Sequence, residues 1–180
     1  GTETIVLACD ILPPLRQQDI ESANGTLVRA AKLAAEHGVR VALEFRAEAA
    51  FGNNLQTAAA LVNEVGHPSL GLCLDVFHFY VGPSKVDDLV YLTSDNLFHV
   101  QLSDIADVPR EFARDADRIL PGDGDIPFAP VIDRMREINY TGSVAIELMN
   151  PQIWQVPSRQ FGEIGMTALR KVLGQASMDD

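Results

Sequence analysis

Four polar residues close four short apolar runs in this chain: Glu44 in VALEF, Asp75 in LGLCLD, Gln101 in LFHVQL and Glu147 in SVAIEL. Each run reads as a buried strand with the polar residue at its C-terminal end. Folds built on parallel strands place their ligands at that end. Three carboxylates and one amide gathered there make an oxygen-rich cage, suited to a hard divalent cation such as Mn²⁺ or Mg²⁺. Taken singly, a strand-end Glu or Asp more often caps a helix or faces an arginine. The four together point to a metal site, because ionisable groups with perturbed titration cluster where function is.

The elements that must position these residues alternate between strand and helix. Strands are predicted over 4–9, 40–45, 70–75, 97–102 and 143–148. Helices are predicted over 18–37, where Gly38 supplies a C-terminal stop, and over 55–65 behind a capping Asn54. A short helix is predicted over 84–92, and further ones over 127–138 and 158–173. HFYVGPS reads as a loop, 103–126 as a long loop with the turn-rich PGDGD, and QASMDD as a frayed end. Alternation of this kind predicts an α/β fold with a parallel sheet and helical crossovers, and no linker divides residues 1–180 into more than one domain. Period-two alternation puts Ala42, Glu44, Gly71, Cys73, Asp75, His99, Gln101, Ala145 and Glu147 on one side of their strands. The opposite side carries Val41, Leu43, Leu72, Leu74, Val100, Leu102, Val144 and Ile146. Small or polar residues inside and branched apolar residues outside predict a barrel ringed by helices, not a flat doubly wound sheet.

Composition narrows the partners. The 180 residues suffice for one substantial core, and 47% apolar with 22% charged residues is ordinary for a soluble globular protein. A net charge of −11 without a basic cluster argues against nucleic acid. Cys9 and Cys73 both lie in apolar runs, which reads as reduced, buried thiols and a cytoplasmic setting. No window is long and apolar enough to span a membrane. The start, GTETIVLACD, lacks the pattern of a signal peptide and enters a strand at once, which reads as a truncated chain.

LEFR, then CLDVFHF with its Asp-x-x-His, then HVQLSD, LPGDGDI and AIEL resemble, in order and spacing, the xylose isomerase-like TIM-barrel superfamily. That group holds sugar isomerases and epimerases, inosose and 3-dehydroshikimate dehydratases, and abasic-site endonucleases. The resemblance covers nearly the whole chain. It implies a partial (β/α)8 barrel of about five βα units, the fourth to the eighth, with the N-terminal units absent. An open arc exposes two sheet edges, so a second copy of the chain, or the missing N-terminal half, is the expected cover. The resemblance further implies one divalent metal ion held by Glu44, Asp75, Gln101 and Glu147. Gln101 stands where the superfamily usually has the His of a His-x-His-x-x-Asp motif; its carbonyl can still coordinate, which favours an all-oxygen site over zinc. Glu44 and Glu147 inherit the roles of acid and base. His78 resembles the histidine that holds or protonates a substrate oxygen, and Arg118 resembles a substrate-binding arginine able to clamp a hydroxyl, carboxylate or phosphate.

The expected activity is a divalent-metal isomerase or epimerase of a small sugar or sugar-like polyol, working through an enediolate. The alternative is a metal-dependent dehydratase of a keto-cyclitol or 3-dehydroshikimate type substrate, and Gln101 is what makes it serious. An endonuclease of the superfamily needs several metal-binding histidines and a basic groove; four His and a charge of −11 oppose it. A non-catalytic relative would be expected to have lost the cage. Other residues carry plainer readings. His99 reads as a satisfied core histidine. Arg46 reads equally as a partner of Glu44 or Glu48 and as a substrate contact. PGDGD reads as a turn whose Asp residues cap a helix, not as a phosphate cradle. Trp154 lines the barrel mouth or packs a loop, and His37 and His67 sit at helix ends.

Overall fold

The structure, a computed structural model, describes residues 1–11 and 13–175, so the expected fraying of the last residues, from 176 on, lies outside it. Five strands, β1 (Thr4–Cys9), β2 (Arg40–Phe45), β3 (Leu70–Asp75), β4 (Leu97–Leu102) and β5 (Ser143–Ile146), form one sheet in the order β1-β2-β3-β4-β5. Every neighbouring pair is parallel. Consecutive parallel order sends each crossover over the same face of the sheet. The sheet is strongly curled: residues of β1 and β4 approach within 8 Å between Cα atoms. In a flat sheet three inter-strand steps would separate them by about 14 Å. This is a TIM-barrel-like α/β arc.

Period-two alternation divides the core as the sequence predicts. On the outer face Leu43, Leu72, Leu74, Val100 and Leu102 pack with Leu27 and Ala31 of α1 (Gln17–Glu36), Leu55 and Ala58 of α2 (Leu55–Val65), and Val131 of α4 (Ala129–Glu137). The inner face holds a small cluster of Ala42, Cys73 and Phe98, with Val6 against it. Phe98 turns inward because the β3–β4 register slips: Leu72 pairs with Leu97, but Cys73 pairs with His99. Gly71 makes the room. A Cβ there would stand 2.7 Å from the Phe98 ring and 2.5 Å from the Asn96 carbonyl oxygen. Arg40 lies over the other side of the interior with its guanidinium carbon 4.4 Å from the Phe98 ring centre.

Three elements differ from the expectation. Val76–Val81, overlapping the stretch 78–84 expected to be a loop, is a short helix, α3. Asp75 caps it, accepting a hydrogen bond from the His78 backbone N–H at 3.2 Å. The last strand stops at Ile146 instead of running to 148, although the Glu147 N–H still donates to the Leu102 carbonyl at 3.3 Å. The short helix expected over 84–92 is a 3-10 turn, Val86–Tyr91. The final helix, α5, runs Ser158–Val172. No helix among the described residues is long and apolar enough to cross a membrane, and Cys9 and Cys73 are free and buried.

The long loop 103–126 owes its order to one carboxylate. Asp104 is fully buried and accepts hydrogen bonds from the backbone N–H groups of Ile105, Gly122, Gly124 and Ile126, at 2.9–3.0 Å. Its own main chain pairs both ways with Ile119, at 2.9 and 2.8 Å. PGDGD therefore cradles an anion, but the anion is a side chain of this protein. Asp123 and Asp125 do not cap α4, whose N-cap is Phe128. Gly124 is obligatory in this nest: a Cβ would meet the Ile105 carbonyl oxygen at 2.2 Å. Asp104→Ala strands several buried donors at once, and each hydrogen bond to a charged acceptor is worth about 1.5–3 kcal/mol. We expect it to lower unfolding stability by about 3 kcal/mol or more in urea denaturation, a loss that an ordinary surface Asp→Ala would not give.

Candidate active site

Parallel strands deliver their C-terminal ends to one rim, and the predicted residues stand on it. Glu44 is the penultimate residue of β2, Asp75 the last of β3, Gln101 the fifth of β4, and Glu147 follows β5 directly. Glu44, Asp75 and Gln101 are buried, whereas the Glu147 side chain is 32% exposed. Glu44, Asp75 and His78 each offer a donor atom within 4.8 Å of the others. His78 reaches this cluster because Asp75 nucleates α3 and puts it in the first turn. Its Nε2 lies 3.7 Å from Glu44 Oε1. Asp75 and Gln101 are register partners across the β3–β4 ladder. The Gln101 carbonyl oxygen accepts from the Cys73 thiol at 3.0 Å.

Arg118 fills the centre of the site. It is 1% exposed, the largest fully buried side chain among the described residues. Nε donates to Asp115 Oδ1 at 2.9 Å, and one terminal nitrogen donates to Asp75 Oδ2 at 2.8 Å and Ser103 Oγ at 3.2 Å. The other terminal nitrogen lies 2.9 Å from Asp115 Oδ1 and 3.3 Å from His78 Nε2. Glu147 Oε2 is 3.5 Å away. The guanidinium carbon stacks 4.1 Å from the centre of the Phe77 ring. Nothing in the sequence singles out Asp115, Ser103 or Phe77. Asp115 was the most accessible of the three, since it stands three residues before Arg118 in a turn.

The same burial acts differently on each group. Burial and the nearby Asp75 charge push Glu44 up to about 7, against the pull of Arg118 and Arg46. Burial, a hydrogen bond to Asp75 and the charges of Asp75 and Glu44 push Glu147 up to about 8. Asp75 is also raised by burial, but the Arg118 and His78 charges, with hydrogen bonds from Glu147 and Arg118, outweigh that and hold it below its usual range. His78 is lowered by burial and by Arg118, against the opposing charge of Asp75, which favours the neutral imidazole. At neutral pH the site thus holds one firm carboxylate, Asp75, and two carboxyls poised to exchange a proton.

The donor set fits a divalent cation. Two carboxyls titrating near neutrality, Glu44 buried and Glu147 part-exposed, await a positive charge, and Glu44, Asp75 and His78 already offer converging donor atoms. With an imidazole among them, the cluster is not purely oxygen, so zinc also suits it.

The other singled-out residues lie around this centre. Arg46 pairs with Asp115 at 3.3 Å and approaches Asp10 at 3.7 Å, while Glu48 takes Arg114 at 3.3 Å. His99 is half-buried and shares a 2.8 Å hydrogen bond with Ser143 Oγ on β5. The Trp154 ring is 62% exposed, its N–H donating to the Leu148 carbonyl at 3.0 Å.

Comparison with known proteins agrees with this fold. The sequence profile described as "Xylose isomerase-like TIM barrel" matches residues 7–171. An inosose isomerase of Halalkalibacterium halodurans is 31% identical over 147 residues, 81% of this chain and 52% of that protein. A 3-dehydroshikimate dehydratase of Pseudomonas putida is 28% identical over 94% of this chain and 27% of its own length. The crystal structure of an IolI protein with a bound zinc atom superposes with a TM-score of 0.88 at 24% identity, covering 98% of this chain and 64% of that one. The chain spans about half the length of the inosose isomerases it matches. It belongs to the xylose isomerase-like TIM barrel family.

Proposed function

We propose that this chain carries the catalytic rim of a divalent-metal-dependent isomerase or epimerase acting on a small sugar or sugar-like polyol. One observation carries the reading: Glu44, Asp75 and His78 converge in a buried cluster, and Glu147 reaches Arg118 beside it at 3.5 Å. The similarity to inosose isomerases supports it. In this reading the five βα units are the fourth to eighth of an eight-unit barrel.

Glu44 and Asp75 would hold the cation, with Gln101 and Glu147 as the further oxygen donors and Mn²⁺ or Mg²⁺ as the ion. The ion would polarise a substrate carbonyl and the hydroxyl next to it, lowering the pKa of the C–H between them. Glu44 and Glu147, whose pKa values lie near the working pH, are suited to removing and returning that proton. Neutral His78, 3.7 Å from Glu44, is placed to hold or protonate a substrate oxygen. Arg118 keeps Asp75 ionised. The similarity to a 3-dehydroshikimate dehydratase over 94% of this chain, together with Gln101, supports a second reading. In it the same proton abstraction is followed by loss of a hydroxyl as water. A dehydration product is a conjugated carbonyl and absorbs in the ultraviolet, so product spectra separate the two.

Glu147→Gln keeps size and hydrogen bonding but cannot move a proton. We expect it to lower turnover by about 10²–10⁴-fold, with the fold intact by circular dichroism. The assay is deuterium uptake from solvent beside the carbonyl of a ketose or an inosose. Undiminished uptake would remove Glu147 from the chemistry.

The metal can be tested without turnover. Glu44 and Glu147 titrate higher in the fold than their ordinary 4.5. The stability they carry is full below that value and is lost as pH rises through about 7 and about 8. His78 is held below its ordinary 6.5, so its contribution is lost only on acidification. Between pH 6.5 and 8 the metal-free protein should therefore lose about 1–2 kcal/mol, after discounting Glu147 for its exposure. Mn²⁺ should reverse this loss and release protons, seen by calorimetry in buffers of different ionisation enthalpy. No stabilisation by Mn²⁺ or Zn²⁺ at pH 8 would count against the metal.

A further inference from the structure

The cations around the site decide what charge its substrate can bear. A phosphate or carboxylate buried at a strand-end rim needs a guanidinium, an ammonium or free backbone N–H groups. Arg118 is the obvious candidate, but all three of its nitrogens already face acceptors within 3.3 Å: Asp115, Asp75, Ser103 and His78. Phe77 covers one face of its guanidinium. Arg46, the next cation, points a terminal nitrogen at Asp115 Oδ2, 3.3 Å away. Asp115 thus spends one oxygen on each arginine. Arg114 pairs with Glu48, and Arg110 donates to the Gly82 carbonyl at 2.7 Å beneath the Tyr80 ring. The one nest of backbone N–H groups in this loop, at PGDGD, is filled by Asp104.

We propose that Asp115 makes this site selective for an uncharged substrate, by holding Arg118 and Arg46 against the protein so that neither is free to bind an anionic group. The inference rests on the functional reading above and sharpens it. It favours a neutral ketose or keto-cyclitol over a sugar phosphate, and over an acid such as dehydroshikimate. Asp115 is a specificity-determining residue here and takes no part in proton transfer. Its side chain is 31% exposed, so replacing it does not empty a core position.

The test compares a neutral and an anionic ligand of similar ring size on the Mn²⁺-loaded protein. Calorimetry measures the affinity of an inosose and of 3-dehydroshikimate, for the native protein and for Asp115→Asn. The native protein should bind the inosose at least about 10-fold tighter, the effect of one ion pair lost or gained. Asp115→Asn removes the negative charge that holds Nε and one terminal nitrogen of Arg118 and should improve dehydroshikimate affinity about 10-fold, while inosose affinity moves less than about 3-fold. Adding 150 mM salt should erode the gained affinity and spare the inosose, as expected for a newly freed charge. Equal or tighter binding of the acid by the native protein would overturn the inference and leave the enzymatic reading standing. So would an Asp115→Asn protein with unchanged preference. If neither compound binds in the presence of Mn²⁺, the enzymatic reading fails, and the charge selectivity falls with it.

Discussion

A guanidinium buried to 1% exposure is the constraint around which the rim of this protein is arranged. Desolvating such a charge costs several kcal/mol unless carboxylates and acceptors surround it. Asp75 is under the same constraint from the other side, because it is fully buried and cannot stay ionised without a cation. Each solves the problem of the other at 2.8 Å. The consequence is structural as well as electrostatic. Arg118 belongs to a loop, and Asp75 to the end of β3, so their contact fastens the loop over the strand ends. The loop arrives there already shaped, because Asp104 gathers four backbone N–H groups and pairs with Ile119, the residue after Arg118. A buried carboxylate and the backbone gathered on it thereby set where the guanidinium can reach.

Three carboxyls share this rim and titrate at three different points. Burial alone would raise them all. Asp75 escapes because Arg118, His78 and the Glu147 hydrogen bond favour its ionised form. Glu147 goes the other way: burial, then its hydrogen bond to Asp75, push it up to about 8. Glu44 has no direct arginine contact at ion-pair distance among the described residues, and it sits between the two at about 7. A spread of this kind separates one fixed charge from two movable protons, which is the condition for acid–base work near neutrality.

Much of this was legible in the sequence, for reasons that can be named. β1 to β4 fall over 4–9, 40–45, 70–75 and 97–102 as expected, because each is a six-residue apolar run closed by a polar or turn residue. Asn54 caps α2 as its position suggests, accepting from the Thr57 N–H at 2.9 Å. The two-sided strand pattern also predicted a curled sheet, since only small or polar residues fit the concave face. Local readings failed where the pattern is too short to read or where partners are distant in sequence. VFHFYV is too short and too uniformly apolar to show helical periodicity, and its helix depends on the Asp75 cap. PGDGD reads in sequence as a turn whose Asp residues cap a helix, and nothing nearby says that it cradles Asp104, 18 to 22 residues earlier. The Arg118 motif suggested an open clamp. Its closure by Asp115, Ser103 and Phe77 depends on three-dimensional neighbours, two of them from other segments of the chain.

Gln101 shows how far a substitution on the rim is coupled to the layer beneath it. Its carbonyl oxygen accepts from Cys73, a fully buried thiol that burial and the surrounding carboxylates hold in its protonated form. An S–H can satisfy only an acceptor, so the amide is oriented from below, with its oxygen toward the thiol. Cys73 has little freedom of its own: it packs against Ala42 and Phe98 in the inner cluster, and Phe98 is there because Gly71 leaves it space. The amide orientation at the rim therefore traces back, through a thiol and an aromatic ring, to a glycine and a register slip near the base of β3. A histidine at position 101 would offer a ring nitrogen in a different place and would leave that thiol to find another acceptor. The residue at this position and the small residues below it are best understood as one unit.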